Sequence, residues 1–329
     1  MTEPADRPTR HLGLDLGGTN LKWTVVESSG GAWSVVARDQ VETRRSASAA
    51  DMPASVTAQL AEVAVAARDR AGPIESVGIG VPGLYDPRTG RTRFLVNIPG
   101  PWAGHAVAEP VAAAAGVPAF LINDARAFGL AEHRLGAGRG ASSMVGLTLG
   151  TGVGGVVIVF GRVHLGHDGT AGEIGHHTID PDGPWCGCGN RGCLEAYCRA
   201  DQIAAACGTA TAEAAVSAAA AGDERAQRGL ADVGRYLGIG IANMITVLSP
   251  DRVVLGGGVA AAGDLLFDPI RAEVARRVKT TAIDEVAIVP AELGTWAGAI
   301  GAAVHGAEEA VGRDGRSVDV RGVAAAGPP

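Results

Sequence analysis

The chain has 329 residues, with 28 Lys plus Arg against 35 Asp plus Glu and a net charge of −7. It carries no basic run of five to eight residues, so the clustered cations of a nucleic-acid footprint are missing. With 19% charged and 47% hydrophobic residues it is no disordered acidic tail, and at ~100–200 residues per domain its length suits about two domains with a cleft between them.

Residues 1–10 have no apolar stretch, which argues against a signal peptide and predicts a disordered N-terminus. Residues 11–16 and 21–28 read as strands around the turn Gly17-Gly18-Thr19-Asn20, and 32–41 as a third strand. A helix is expected over 52–70, with Val56, Leu60, Val63 and Ala67 on one face. Then come a strand at 76–81, a Pro- and Gly-rich loop over 82–104, a helix near 106–115, a strand at 119–122 and a helix at 125–135. The uncharged stretch 140–161 contains seven glycines and reads as buried strands, 143–149 and 155–160, rather than a membrane span. Its glycine turn resembles the first one roughly 130 residues earlier, a hint of internal duplication with one hairpin opening each domain. After a long loop at 161–193 come helices at 201–207, 212–221 and 224–248. A strand at 252–255, a helix at 260–278, a strand at 285–289, a helix at 296–309 and a flexible tail at 312–329 follow. Strands alternating with helices indicate α/β architecture.

Glycine is the compositional outlier, 49 residues where a ~7% share is usual, and three glycine clusters account for part of it. In Asp15-Leu-Gly17-Gly18-Thr19-Asn20-Leu-Lys22 a hairpin turn offers backbone N–H groups to an anion, Thr19 and Lys22 add donors, and Asp15 suits Mg²⁺, through water. The same residues equally form a plain β-turn. Thr148-Leu-Gly150-Thr151-Gly152-Val-Gly154-Gly155 matches G-x-G-x-x-G, but a strand follows where a dinucleotide site needs a helix. It reads as a second phosphate-gripping hairpin or a tight turn. Gly256-Gly257-Gly258 ends a strand before a helix and suits a nucleotide or simple packing. Asn123-Asp124-Ala125 follows a strand: Asp124 reads as a helix cap or as a base pointing into a cleft.

The five cysteines crowd into residues 186–207, unlike a disulfide framework, so a reduced, soluble, cytoplasmic protein is expected. His176 with Cys186, Cys188 and Cys193 forms a Cys₃His set suited to tetrahedral structural zinc; His177 is an alternative ligand, and Cys198 and Cys207 read as buried thiols. Glu173 and Glu195 bracket this loop as candidate sugar-hydroxyl acceptors, or as plain surface charge.

DLGGTNLK, the NDA at 123–125, LTLGTGVGG, GEIGH at 172–176 and CGCGNRGCLE at 186–195 together resemble the ROK family of sugar kinases and repressors, from about residue 11 to 310. The resemblance implies the two-domain actin-like/hexokinase-like (ribonuclease H-like) ATPase fold with an interdomain cleft. The smaller domain would take 11–122 plus 297–311 and the larger 123–296, with the zinc loop at 176–193. It implies Asp124 as catalytic base; Asn97, Asn123, Asp124, Glu173, His176 and Glu195 as sugar ligands; and His176, Cys186, Cys188 and Cys193 as zinc ligands, His176 using one ring nitrogen for each task. Gly17, Gly18, Thr19, Gly150, Thr151, Gly152, Gly256 and Gly257 would form the ATP cradle, with Asp15, Lys22 and Thr148 beside it. The activity implied is ATP-dependent phosphorylation of a hexose 6-hydroxyl, glucose first, with ATP, Mg²⁺ and structural Zn²⁺. Alternatives are an N-acetylated amino sugar kinase (N-acetylglucosamine or N-acetylmannosamine) and a non-catalytic sugar sensor. Polyphosphate is a less attractive donor for an acidic chain. Family repressors carry an N-terminal helix-turn-helix domain, for which ten residues leave no room, so repression is disfavoured. A homo-oligomer, dimer or tetramer, is expected, with no membrane or nucleic-acid partner.

Overall fold

A computed structural model describes residues 7–313. The first sheet holds β1 (Thr9–Leu16), β2 (Asn20–Ser29), β3 (Ala32–Glu42), β4 (Ser76–Val81) and β7 (Ala119–Asn123), in the order β3-β2-β1-β4-β7. Its first three strands are antiparallel neighbours, while β4 and β7 join in parallel. The second sheet repeats this pattern with β8 (Ser143–Leu149), β9 (Val153–Val159), β10 (Arg162–Val163), β11 (Arg252–Gly257) and β12 (Ala287–Pro290), in the order β10-β9-β8-β11-β12. Here too the hairpins are antiparallel and the last two strands parallel. The duplication suggested by the two glycine hairpins is therefore a duplication of topology, and the fold is the two-domain actin-like one.

In the first sheet the inner strand β4 is buried on both faces. All six residues of β4, Ser-Val-Gly-Ile-Gly-Val, are buried, as expected of a parallel strand covered on two sides. One face of the first sheet packs on α1 (Met52–Ala71) through Val56, Leu60, Ala64 and Ala67. The other receives α9 (Ala297–Arg313), which is rich in Ala and Gly. A Cβ on Gly13 would lie 1.9 Å from Ala299 O, and one on Gly78 1.7 Å from Ala302 O, so the helix axis can approach the sheet only because both residues are glycine. The second sheet is covered by α3 (Asp124–Leu135) on one side. On the other side lies a core built on α7 (Glu224–Leu248), α5 (Ala200–Cys207), α6 (Ala212–Ala220) and α8 (Asp264–Arg277). Helices α3 and α9 pack on each other between the sheets, again at glycine: a Cβ on Gly301 would sit 1.7 Å from Ala127 O. Part of the glycine surplus thus serves close packing, beyond the turns and ligand loops inferred from composition.

Several local expectations change. Thr9 and Arg10 already belong to β1 and pair with Ser28 and Glu27, so the strand begins inside the stretch expected to be disordered. At the other end α9 runs to Arg313, past the expected start of the tail. Residues 1–6 and 314–329 of those two segments lie outside the described residues. The loop 82–104 contains a hairpin, β5 (Gly83–Asp86) and β6 (Arg91–Leu95), closed by a turn in which Gly90 has φ +64° and donates to Asp86 O. The helix expected over 260–278 splits at Gly263 (φ +58°) into a 3₁₀ turn and α8. A short helix α4 (Glu195–Cys198) follows the cysteine loop, and α2 (Ala108–Ala115) lies where expected. Residues 140–161 form β8 and β9. Among the described residues, one stretch has the length and hydropathy to cross a membrane, 200–220, and it is broken at Gly208 into α5 and α6, both packed on α7.

Candidate active site

Both glycine hairpins open toward the region where α3 begins. In the first, Gly17 N donates to Asn20 O, while Thr43 uses its N–H on Thr19 O (2.8 Å) and its hydroxyl on Gly17 O (2.7 Å). These bonds occupy the Gly17, Thr19 and Asn20 carbonyls and leave the Gly18 and Thr19 amides without a partner among the described residues, the arrangement that suits an anion. Thr43 was not singled out from the sequence; a lone Thr after a strand carries no signal until the fold brings it 26 positions back to Gly17. Beside it, a depression of about 480 Å³ is bordered by Thr19, Thr43, Arg44 and Arg45, cations that sequence reading also passed over. Lys22 is turned to the end of the second unit, donating to Thr295 O at 2.8 Å beside the Trp296 ring.

The second hairpin, Leu149–Val153, is tied by Gly150 N to Gly152 O and by Ala200 N to Gly150 O. Glu195 braces it: its Oε2 accepts from Val153 N at 2.9 Å and occupies the space a Cβ on Gly152 would need. Gly154 lies against Ala125 and Thr148, which sets this hairpin beside the start of α3. The third cluster divides. Gly257 is exposed with φ +92° and passes within 2.0 Å, at Cβ, of Leu149 O. Gly256 is buried against the Phe128 ring, a packing position.

Asn123, not Asp124, is the helix cap: its Oδ1 accepts from Arg126 N, and its Nδ2 donates to Gly83 O and to Asp124 Oδ1 (3.0 Å). Asp124, the first residue of α3, accepts at Oδ1 from Asn123 Nδ2 and from Ala125 N (2.8 Å), and its Oδ2 has no hydrogen bond among the described residues. Asp15 lies at the end of β1 against the first turn of α9, where a Cβ on Gly298 would meet its Oδ2. Burial pushes Asp124 up to about 7, with the Asp15 carboxylate next in effect and Glu173 adding to it. Burial likewise raises Asp15 to about 6, with Lys22 opposing. Two desolvated carboxylates with one nearby ammonium fit a divalent cation, which would offset the repulsion. Asn97 sits at φ +63°, a left-handed conformation that Asn tolerates, and its carbonyl lies 3.1 Å from where a Gly18 Cβ would be. The loop carrying Asn97 and the first hairpin are therefore in contact.

The segment carrying Glu173 and His176 crosses β9 on glycines: a Cβ on Gly155 would strike Gly172 O at 2.4 Å, and one on Gly175 would strike Val153 O at 2.0 Å. The donor atoms of His176, Cys186, Cys188 and Cys193 lie within 4.8 Å of one another. Cys188 Sγ to Cys193 Sγ is 3.7 Å, and His176 Nδ1 to Cys186 Sγ is 3.6 Å. A tetrahedron of ~2.3 Å Zn–S bonds has sulfur–sulfur edges of about 3.8 Å, so the residues fit zinc. All these atoms are far beyond a disulfide bond length. The loop is pre-bent by Cys186 N on Asn190 O and by Gly189 at φ +91°. Burial, and after it the neighbouring Cys188 and Cys186 thiols, raises Cys193 to about 12. His177 is excluded from the set: its Nδ1 meets Ile174 O and its ring packs toward Gly240 of α7. His176 turns Nδ1 to the thiols, leaving Nε2 for another partner, and lies 4.0 Å from Glu195. Cys198 and Cys207 are buried thiols, as expected. A separate cavity of about 270 Å³ behind β7, lined by Tyr85, Leu121, Leu165 and His305 among others, contains none of these groups.

The ROK family model matches residues 11–308. The chain belongs to the ROK family. It is 35% identical over 312 residues to the glucokinase of Thermotoga maritima, covering 89% of this chain and 95% of that one. Of solved structures, the ROK hexokinase from Thermus thermophilus has a TM-score of 0.78 at 36% identity, covering 93% of this chain and 100% of that one. The ROK glucokinase from Streptomyces griseus, in complex with glucose and AMPPNP, has a TM-score of 0.74 at 30% identity, covering 91% and 99%.

Proposed function

We propose that this chain is an ATP-dependent hexose kinase that phosphorylates the 6-hydroxyl of glucose. The observation that carries the reading is Asp124: a carboxylate at the head of α3, raised to about 7 by burial and by Asp15, beside both glycine hairpins. Such a group is poised to take a proton near neutral pH. The hexose is held by Asn97, Asn123, Glu173, His176 and Glu195. Asp124 accepts the proton of the 6-hydroxyl as that oxygen forms its bond to the γ-phosphorus; the bond from phosphorus to the β,γ-bridging oxygen breaks, and ADP leaves. Phosphoryl transfer depends mainly on positioning and on charge stabilisation, for which the amides of Gly18 and Thr19 and of Thr151 and Gly152 are the candidate donors. Mg²⁺ beside Asp15 would neutralise charge on the phosphates, and Zn²⁺ at His176, Cys186, Cys188 and Cys193 would fix the imidazole's direction. Closing the two units over the cleft would keep water from the γ-phosphate.

Glucose is chosen over N-acetylated amino sugars, and a kinase over a sugar sensor, on the named glucokinase relatives and the intact Asp15–Asp124 pair. ATP is chosen over polyphosphate on the AMPPNP complex of the Streptomyces griseus protein. The proposal includes a cytoplasmic location and a homo-oligomer, dimer or tetramer, for which light scattering is the test. A coupled ADP-release assay tests the activity with ATP on glucose, mannose, fructose and the N-acetyl hexosamines, and direct detection of the sugar phosphate tests the same panel with polyphosphate as donor. The expected result is highest kcat/KM for glucose with ATP; sugar binding with no ADP release for any member of the panel would overturn it.

A further inference from the structure

Arg126 stands two residues after Asp124 on α3, and its side chain is 1% exposed. Its Nε and Nη2 donate to Ala171 O at 3.2 and 3.0 Å, and Nη2 also donates to Glu173 Oε1 at 3.1 Å. Its Nη1 is buried without a hydrogen-bond partner among the described residues. A guanidinium cannot shed its charge. Burying one with a single carboxylate and an unmade hydrogen bond is costly for stability, and an apolar side chain would serve the core better. What the arrangement supplies is position. The segment 171–176 lies on β9 through Gly172 and Gly175, which offer no side chains to hold it in register. Arg126 holds this segment by a main-chain carbonyl and a carboxylate at once. It takes Oε1 of Glu173, whose side chain is 41% exposed, and leaves Oε2 free. The clamp ties Glu173 to the same helix that begins with Asp124.

We propose that Arg126 is a positioning residue that sets Glu173 relative to Asp124, so that the sugar is held with its reacting hydroxyl at the base. The inference rests on the sugar-kinase reading above. Arg126→Gln and Arg126→Lys are compared with the unmodified protein, alone and combined with Glu173→Gln. Loss of hydrogen bonds to a charged partner is worth ~1.5–3 kcal/mol, so Arg126→Gln should raise KM for glucose about 10- to 100-fold while KM for ATP stays within about twofold. Arg126→Lys, which keeps a cation, should recover part of that loss. In the Glu173→Gln background, changing Arg126 should add little, because the two residues act as one unit. Equal increases in both KM values, or effects that multiply in the double variant, would overturn the positioning role. If Arg126→Gln fails to fold, the Lys variant carries the same comparison. No hexose turnover by the unmodified protein would instead overturn the kinase reading itself.

Discussion

Asp124 and Asp15 are two buried carboxylates, and burial raises both. Asp124 is raised from the ordinary 3.8 to about 7, so the ligand-free protein binds a proton there that the unfolded chain releases near pH 4. The contribution of this group to stability is therefore greatest below about pH 4 and declines as pH climbs toward about 7. Activity runs the other way, because a base must be ionised. We expect kcat/KM for glucose to rise with pH and level off above about 7, and Asp124→Asn to lower kcat by about 10²–10⁴-fold with glucose affinity nearly kept. The same variant should raise the melting temperature of the ligand-free protein at pH 8, since it removes a buried charge. A pH–rate profile and a calorimetric scan check the two halves; near-normal turnover by Asp124→Asn would remove Asp124 from the role of base. The identity of Asp124 was legible as motif, but its cap-or-base ambiguity was not. The cap half of that alternative is removed by Asn123, whose side chain takes the cap.

At the scale of elements, glycine does two jobs that look alike in a sequence. Gly78 lies in the middle of β4, and a Cβ there would sit 1.7 Å from Ala302 O of α9. Gly187, in the cysteine loop, has nothing within 4 Å of its Cβ position and no left-handed φ. Gly78→Ala should therefore force the sheet and the helix apart, at a cost of about 1–3 kcal/mol, whereas Gly187→Ala should change stability by less than about 0.5 kcal/mol. Urea midpoints compare them directly, and equal midpoints would refute the close-packing account. The strands and most helices followed from apolar period and turn residues. The β5–β6 hairpin did not, because Pro and Gly in 82–104 read as loop and the pairing depends on contacts across the turn. The break at Gly263 was hidden for the opposite reason: the apolar residues on both sides keep a helical period.

For the whole molecule, the cysteine loop joins the cleft to the larger core. Cys193 is followed by Leu194, buried in that core, and by Glu195, which braces the second hairpin at Val153. A metal at this site would thus be felt at both the sugar side and the phosphate side. Stripping zinc with a chelator should weaken glucose binding about 10–100-fold and lower the melting temperature; adding Zn²⁺, but not Mg²⁺, should restore both. Calorimetric titration with glucose is the measurement, and unchanged affinity in protein shown by elemental analysis to be metal-free would break the coupling. Cys186→Ser should behave like the stripped protein.

The sequence by itself determined whatever depends on neighbours along the chain. The two glycine turns, the Cys₃His spacing and the strand leading into Asn123-Asp124 are all local patterns, and so the family and the residues of the candidate site could be named before any coordinates. Only the tertiary structure decided which of two adjacent histidines faces the thiols, that Gly256 is turned to the Phe128 ring, that Thr43 closes the first turn, and that Arg126 reaches Glu173. The reason is physical: these contacts join residues far apart in the chain, and they exist only once two sheets and the helices between them have been packed to a fixed distance.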